Sequence, residues 1–394
     1  MQQEVSNDSS NLSSPFGGQA ADYIICGAGC AGLSLAMHMI QSAKFTDKKI
    51  ILVDKNPKQS NDRTWCFWQN ENGLFQQIVS KQWNKLWFYG EEFSEQLNIF
   101  PYQYKMIRGI DFYEYCFNEI RKHKNFDIVF GNVENIFSNE KTGVVIDGKT
   151  VYADYVFNSL LLEKPKLSKD ELWLLQHFKG WIIETEEDLF DESTATFMDF
   201  RIDQNFGTAF CYVLPFNSKQ ALIEYTLFST DLLEQEQYDN GLQSYIENIL
   251  KISSYKILER EFGVIPMTNF RFTSQHNNII NIGTAGGQTK GSSGYTFNFI
   301  QKHSKAIVDA LVTTGKPFVQ ATAQRYQFYD SVLLKVLNDG SVSGKKVFTD
   351  LFKKNTTDKV FKFLDNETSV AEELKIISSL PTLPFLKAGI KQIF

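Results

Sequence analysis

The chain has 394 residues, more than a single hydrophobic core serves, and its 43% hydrophobic against 22% charged residues is the composition of a folded protein. Its 40 Lys and Arg against 46 Asp and Glu leave a net charge of −6, which argues against nucleic acid, a partner that rewards a basic face. Cys26, Cys30, Cys66, Cys116 and Cys211 are scattered with no CxxC, and the five His show no paired spacing. Neither a disulfide framework nor a bound metal is expected, and a reducing cytoplasm fits best.

Met1 to Ala20 is rich in Ser, Asn and Gln and reads as a disordered tail without the features of a signal peptide. Tyr23-Ile24-Ile25-Cys26 then reads as a short buried strand. Gly27-Ala28-Gly29-Cys30-Ala31-Gly32 follows at once. Leu33, Ala36, Met37 and Ile40 recur with the period of one helix face, and Ile50 to Val53 forms a second strand ending in Asp54. This is a βαβ unit with a dinucleotide fingerprint. Gly27 allows the tight turn, Gly29 the approach of a pyrophosphate, and Gly32 the close packing of helix on strand. The helix N-terminus offers free N–H groups to phosphates. Asp54, 22 residues beyond Gly32, is placed to accept ribose hydroxyls. Ala28 and Lys55 complete the candidate set at this end.

Further along, Asp111 to Lys122 has a helical pattern, and short apolar runs at Ile128 to Phe130, Val144 to Ile146 and Tyr155 to Phe157 read as strands. From Gly180 to Phe228 the pattern shifts to longer strands, expected to pair as an antiparallel sheet. Ile279 to Ile282 is again buried in character and leads into Gly283-Thr284-Ala285-Gly286-Gly287. Gly291, Gly294 and Tyr295 precede a helix from about Phe297 to Leu311. This second set either closes a flavin site or is an ordinary Gly-rich loop. It is similar to the late strand, Gly-Asp turn and helix of FAD proteins, with Thr284 where the Asp usually sits. No run of 18 residues is uniformly apolar, so no transmembrane helix is expected. The aromatic content of 14% suits a large core, or a cavity for something long and apolar.

The reaction is suggested by motifs in the middle of the chain. Asp62-Arg63-Thr64-Trp65, Gln176 to Trp181, Phe197-Met198-Asp199-Phe200-Arg201, Tyr212 to Phe216, Ala221-Leu222-Ile223-Glu224-Tyr225-Thr226 and Glu261 to Met267 together resemble the lycopene beta-cyclase family. The resemblance runs from about Asp22 to about Tyr329. It implies a flavoenzyme that uses reduced FAD, with NAD(P)H as the reductant, to close β-ionone rings at the linear ends of lycopene in carotenoid biosynthesis. Hydrogen is conserved, so the enzyme would be an isomerase. Lycopene and a membrane surface are the implied partners, with peripheral attachment. The family's essential acid falls on Glu224, but Tyr225 stands where the family carries a second carboxylate.

On a strand, Leu222, Glu224, Thr226 and Phe228 share one face, and Ile223, Tyr225 and Leu227 the other. From its residues alone Glu224 reads as a solvent-facing acid on an edge strand or as a carboxyl desolvated between Leu222 and Phe228 and kept protonated, and the resemblance favours the second. Asp199 and Arg201 also share a face, as an ion pair holding the sheet or with Asp199 orienting the acid or taking the final proton. Glu224, Asp199 and Tyr225 are thus the catalytic candidates. Arg63, Thr64 and Trp65 are expected against the cofactor, as is Arg108, which could equally be a surface residue. Gly283, Thr284, Gly286, Gly287, Gly294 and Tyr295 complete that set.

The expected fold is α/β: a Rossmann-like FAD-binding domain of the glutathione-reductase or hydroxylase type, split over 21–160 and 261–330. A β-rich substrate domain at 161–260 is inserted, and a helical region at 331–394 follows. Leu380 to Phe394 carries Leu383, Phe385, Leu386, Ile390, Ile393 and Phe394 with Lys387, Lys391 and no acid, which fits either an interfacial anchor or a segment packed on the core. An FAD oxidoreductase acting on a polyprenyl substrate would share both glycine sets and is the alternative reading.

Overall fold

The computed structural model describes residues 20–319 and 322–393; of the expected N-terminal tail, 1–19 lie outside them. Strand β1 (Ala21–Cys26), helix α1 (Cys30–Ser42) and β2 (Ile50–Asp54) form the βαβ unit. The chain continues through β3 (Thr64–Gln69), β4 (Lys81–Trp83), β5 (Lys85–Tyr89), β6 (Ser94–Asn98) and β7 (Gln103–Arg108) to α2 (Gly109–Ile120). Next come β8 (Phe126–Phe130), β9 (Val133–Ser138), β10 (Thr142–Ile146) and β11 (Lys149–Asn158). The long strands follow: β12 (Trp173–Glu184), β13 (Thr194–Asp199), β14 (Thr208–Pro215) and β15 (Gln220–Ser229), then α3 (Gln235–Ser244) and β16 (Lys256–Thr268). The chain ends with β17 (Gln275–His276), β18 (Ile279–Asn281), α4 (Phe297–Thr314), α5 (Gln324–Asn338), α6 (Gly344–Lys354), α7 (Thr357–Leu364), α8 (Val370–Ser379) and α9 (Thr382–Ile393).

The first sheet has eight strands, with β18-β11-β1-β2-β8 running parallel and β17, β10 and β9 added antiparallel. β1 lies between two parallel neighbours, so both its faces are covered and Ile24, Ile25 and Cys26 are fully buried. One face of the sheet packs α1, α2 and α4 in a core that includes Leu33, Met39, Phe112 and Ile307. The other face is closed by Val144, Ile146 and Val151 of the β9-β10-β11 meander.

The second sheet has seven strands in the order β16-β12-β15-β14-β13-β5-β6. It differs from the expected domain limits at both ends. β5 and β6 come from the segment assigned to the cofactor domain, because β5 pairs parallel with β13 more than 100 residues away. β16 runs to Thr268, past the expected boundary at 260. It is an edge strand, which is where Pro266 can sit without a lost ladder bond. One face of this sheet packs on the C-terminal helices through Phe197, Phe200, Phe352 and Phe361. The opposite face is covered by α3 and its continuation, with Tyr225, Tyr238, Tyr245 and Ile246.

Candidate active site

One cavity of about 300 Å³ reaches from the first glycine turn to the second sheet, lined by Gly29, Cys30 and Ala31 at one end and by Gln176, Tyr212, Leu222 and Glu224 at the other. At the first end the chain leaves β1 through Gly27, whose φ of +96° favours glycine. A Cβ on Gly32 would lie 1.9 Å from Gly27 O, so only glycine lets α1 start this close to the strand. Around Gly29 a Cβ would meet nothing within 4 Å, because this backbone faces open cavity. No side chain caps the N-terminus of α1 and no acid occupies its first turn. Its amides are therefore offered to a ligand, which suits the phosphates of a dinucleotide.

The second glycine set forms the adjoining wall. Gly283 follows β18 in the left-handed region (φ +60°), and a Cβ there would lie 2.7 Å from Ala31 Cβ. Residues distant in sequence thus converge on one site, since Gly283, Thr284, Gly294 and Tyr295 line the same cavity as Gly29. Thr284 Oγ1 pairs with Thr289 Oγ1 at 3.1 Å. Gly286 and Gly287 instead line a neighbouring cavity on the far side of this turn.

The opposite end is aromatic and acidic. Tyr212, Glu224, Gly180 and Glu261 lie in one cross-strand row over β14, β15, β12 and β16. Glu224 Oε1 accepts from Thr226 Oγ1 at 2.7 Å. Burial pushes the Glu224 carboxyl well above the usual carboxylate range, and the neighbouring Glu261 adds to the rise, against the pull of Thr226. Burial also raises Glu261, opposed by hydrogen bonds from Thr64 and Glu224. Cys66, Tyr104 and Tyr295 complete the surroundings of Glu224, and the Tyr212 and Tyr295 hydroxyls are 3.5 Å apart. A carboxyl held protonated against aromatic walls can deliver a proton to a weakly basic group that water would otherwise swamp.

A family model described as "Lycopene cyclase protein" matches residues 22–389. The chain belongs to the lycopene cyclase family. A curated relative, lycopene beta-cyclase of Pantoea ananas, is 22% identical, the alignment covering 93% of this chain and 96% of that one. Among solved structures, a flavoprotein/dehydrogenase from Cytophaga hutchinsonii superposes with a TM-score of 0.61 at 12% identity, covering 95% of this chain and 99% of the other. A geranylgeranyl bacteriochlorophyll reductase-like protein from Thermoplasma acidophilum gives a TM-score of 0.60 at 12% identity, covering 94% and 96%. The α/β fold shared with these structures is the expected one.

Within this lycopene cyclase family member, several expected site residues do not reach the cavity. Asp199 is fully buried, and its carboxylate is held by Arg201 at 2.6–3.1 Å and by the Tyr245 hydroxyl at 2.8 Å. Asp199, Cys211 and Tyr225 form a cross-strand row on the face covered by α3. The pleat therefore turns both Asp199 and Tyr225 away from Glu224, and they are not its partners. The ion-pair reading of Asp199 and Arg201 is the one realised. Arg108 lies outside the cavity lining, its guanidinium 3.3 Å from Glu259.

The remaining expected residues divide by position. Arg63, Thr64 and Trp65 line the cavity, but the Thr64 hydroxyl donates to Glu261 Oε2 at 2.7 Å. Asp54 accepts from Ala28 N at 2.6 Å and Asn56 N at 3.1 Å, pairing with Lys58 at 3.5 Å. It thus supports the glycine turn at the edge of the site, while Lys55 is exposed. Sequence reasoning passed over Lys58, Tyr104 and Glu261. The last stood inside a quoted motif, and the signal that would have found it is Gly180, a strand glycine that leaves room for a neighbour's side chain.

Proposed function

We propose that this chain is a lycopene beta-cyclase, an isomerase that uses reduced FAD to close β-ionone rings at the ends of a linear carotenoid. The observation that carries the reading is Glu224, a carboxyl whose burial beside Glu261 favours its protonated form and which lines a cavity walled by Tyr212, Leu222 and Phe178. In this reading Glu224 delivers a proton to the terminal alkene, giving a tertiary cation. The neighbouring double bond attacks that cation to form the six-membered ring, and loss of a ring proton restores the balance. Tyr104, Tyr212 and Tyr295 present aromatic surfaces to the cation and exclude water that would otherwise hydrate it.

The residues at the other end fit a flavin dinucleotide: the open backbone at Gly29, the uncapped N-terminus of α1 and the approach of Gly283 to Ala31. Gly29 to Ala31 would hold the pyrophosphate, and Thr284, Gly294 and Tyr295 would border the ring system. When bound and reduced, the flavin supplies electron-rich density beside the developing cation. Nicotinamide would serve to restore flavin lost to oxygen, and a membrane surface would supply the insoluble substrate.

The test counts rings formed per reduced flavin under argon, with lycopene presented in liposomes. Many rings per flavin are expected. A ratio held at one would overturn the isomerase reading and favour a polyprenyl oxidoreductase.

A further inference from the structure

Glu224 has a partner that the cavity lining does not include. β12 lies between β15 and β16, and Gly180 is the register neighbour of Glu224 on one side and of Glu261 on the other. Residues flanking one position of a middle strand point to the same face, about 10 Å apart at the backbone, with a side chain between them. Here that side chain is missing. A Cβ on Gly180 would sit 2.8 Å from Glu261 Cγ and 2.9 Å from Leu222 Cδ1. The two glutamates lean across the gap until their carboxyls come within hydrogen-bonding reach.

Each carboxyl has one threonine donor, and one oxygen of Glu261 is left over. Thr64 Oγ1 donates to Glu261 Oε2 and Thr226 Oγ1 to Glu224 Oε1, each at 2.7 Å. Glu261 Oε1 is shut away from solvent, and among the described residues no N–H or hydroxyl reaches it. Glu224, whose carboxyl burial and the neighbouring Glu261 both raise, is the group beside it that would supply a hydrogen. Two carboxyls this close share one proton, because two adjacent charges in a desolvated site repel.

We propose that Glu261 is the positioning residue for the acid: a carboxylate that accepts the Glu224 proton across Gly180, fixes its direction and keeps it in place between turnovers. This rests on the cyclase reading. Glu224 gives its proton to the alkene carbon, and the proton released from the ring returns to the pair. The pair therefore ends each cycle as it began, with no oxidant or reductant consumed. Between the two transfers it carries two negative charges beside the carbocation, which favours the cation and draws the proton back.

The other groups facing the pair do not compete for this role. Burial pushes Cys66 on β3, Tyr104 on β7 and Tyr212 on β14 well above their ordinary values, and Tyr295 is also raised. Arg108 is occupied by Glu259.

Glu261→Gln keeps the shape and the acceptor but removes the charge. The infrared carbonyl band of the protonated carboxyl is titrated in the reduced holoenzyme without substrate, assigned by its loss in Glu224→Gln. In Glu261→Gln its alkaline midpoint should fall by about one pH unit or more, the size typical of a lost like-charge neighbour. The alkaline limb of ring closure should move with it. Gly180→Ala, which wedges the carboxyls apart, should shift both the same way and serves if the Gln variant does not fold. A midpoint unmoved in the folded variants overturns the role of Glu261 and leaves the cyclase reading intact. A wild type that closes no rings overturns the cyclase reading and the positioning role with it, while a band that still shifts shows that the pair itself forms.

Discussion

Thr64 Oγ1 donates a hydrogen bond to Glu261 Oε2 at 2.7 Å across 197 residues of sequence. It joins the small β3-β7-β4 sheet to the edge of the seven-stranded one. Arg108, the register partner of Thr64 on β7, makes a matching ion pair with Glu259 of the same edge strand at 3.3 Å. Thr64→Val keeps the shape and removes the donor. Leaving a desolvated carboxylate oxygen without it should cost about 1–3 kcal/mol. A less stabilised Glu261 anion also holds the shared proton to higher pH, so the alkaline limb of activity should rise. Thermal unfolding and a pH–rate profile check both.

Glu224→Gln removes the proposed donor while keeping its volume. Ring closure should drop by at least ~10²-fold, the effect of a lost general acid, with flavin content unchanged. Carotenoid extraction from a lycopene-producing host and the absorbance of the purified protein are the measurements. Wild-type pigment from this variant would remove Glu224 from the chemistry.

Asp199→Asn separates structure from chemistry in the opposite sense. It breaks a buried pair whose acid is fully enclosed while Arg201 is partly exposed, so a loss of about 2–3 kcal/mol is expected, below the figure for a wholly buried pair. Activity per folded molecule should stay within about twofold, since the residue faces α3. Equal stability with a large loss of rate would return Asp199 to the reaction.

Stability should peak at intermediate pH, for two reasons of opposite sign. His177 is enclosed between Ser229 and Tyr238, and burial lowers its pKa to about 4. Between about 4 and its ordinary value near 6.5 the unfolded chain binds the extra proton, so stability is lost as pH falls through that window. Glu224 behaves the other way. Its folded pKa is raised, so the folded state binds the extra proton above the ordinary carboxylate range, and stability is lost as pH rises toward that raised value. Unfolding free energies from pH 4 to 9 should show the maximum, with His177→Gln flattening the acid side and Glu224→Gln the alkaline side.

The last helix is packed on one side and exposed on the other. Phe385 and Ala388 pack α9 onto α5, while Leu383, Leu386 and Ile390 stand 80%, 58% and 59% exposed on the outer face. Among the described residues no helix is long and apolar enough to cross a membrane, so an outward stripe of this kind is the proposed means of docking on one. Replacing Leu386 and Ile390 with Glu should weaken liposome flotation by about tenfold or more per site, given ~1.5–3 kcal/mol for each buried side chain. Equal flotation would remove α9 from membrane binding.

The βαβ unit was legible because its signal is local: glycine spacing, helix period and a terminal acid all fall within one short stretch. The alternation of Leu222, Glu224, Thr226 and Phe228 against Ile223, Tyr225 and Leu227 was also readable, and the two faces enter separate cores. Which face met the cavity was not readable, because that depends on where α3 packs. Asp199 therefore stayed open between an ion pair and a part in the reaction, and the ion pair with Arg201 is the one formed. The partnership of Glu224 with Glu261 and the pairing of β5 with β13 rest on register between distant strands, which no local pattern encodes.

The glycine-lined end of the cavity has its two walls far apart in the chain, at Gly29 and Gly283. Gly283 and Tyr295 leave the ribosome only after Gly29 and every strand of both sheets. Helix α1, buried on nearly all sides, likewise waits for α4 to cover it. Until then the nascent chain holds one wall of the proposed nucleotide site and an uncovered apolar helix. If the flavin sits where we propose, chains released before residue 283 lack one wall of its site.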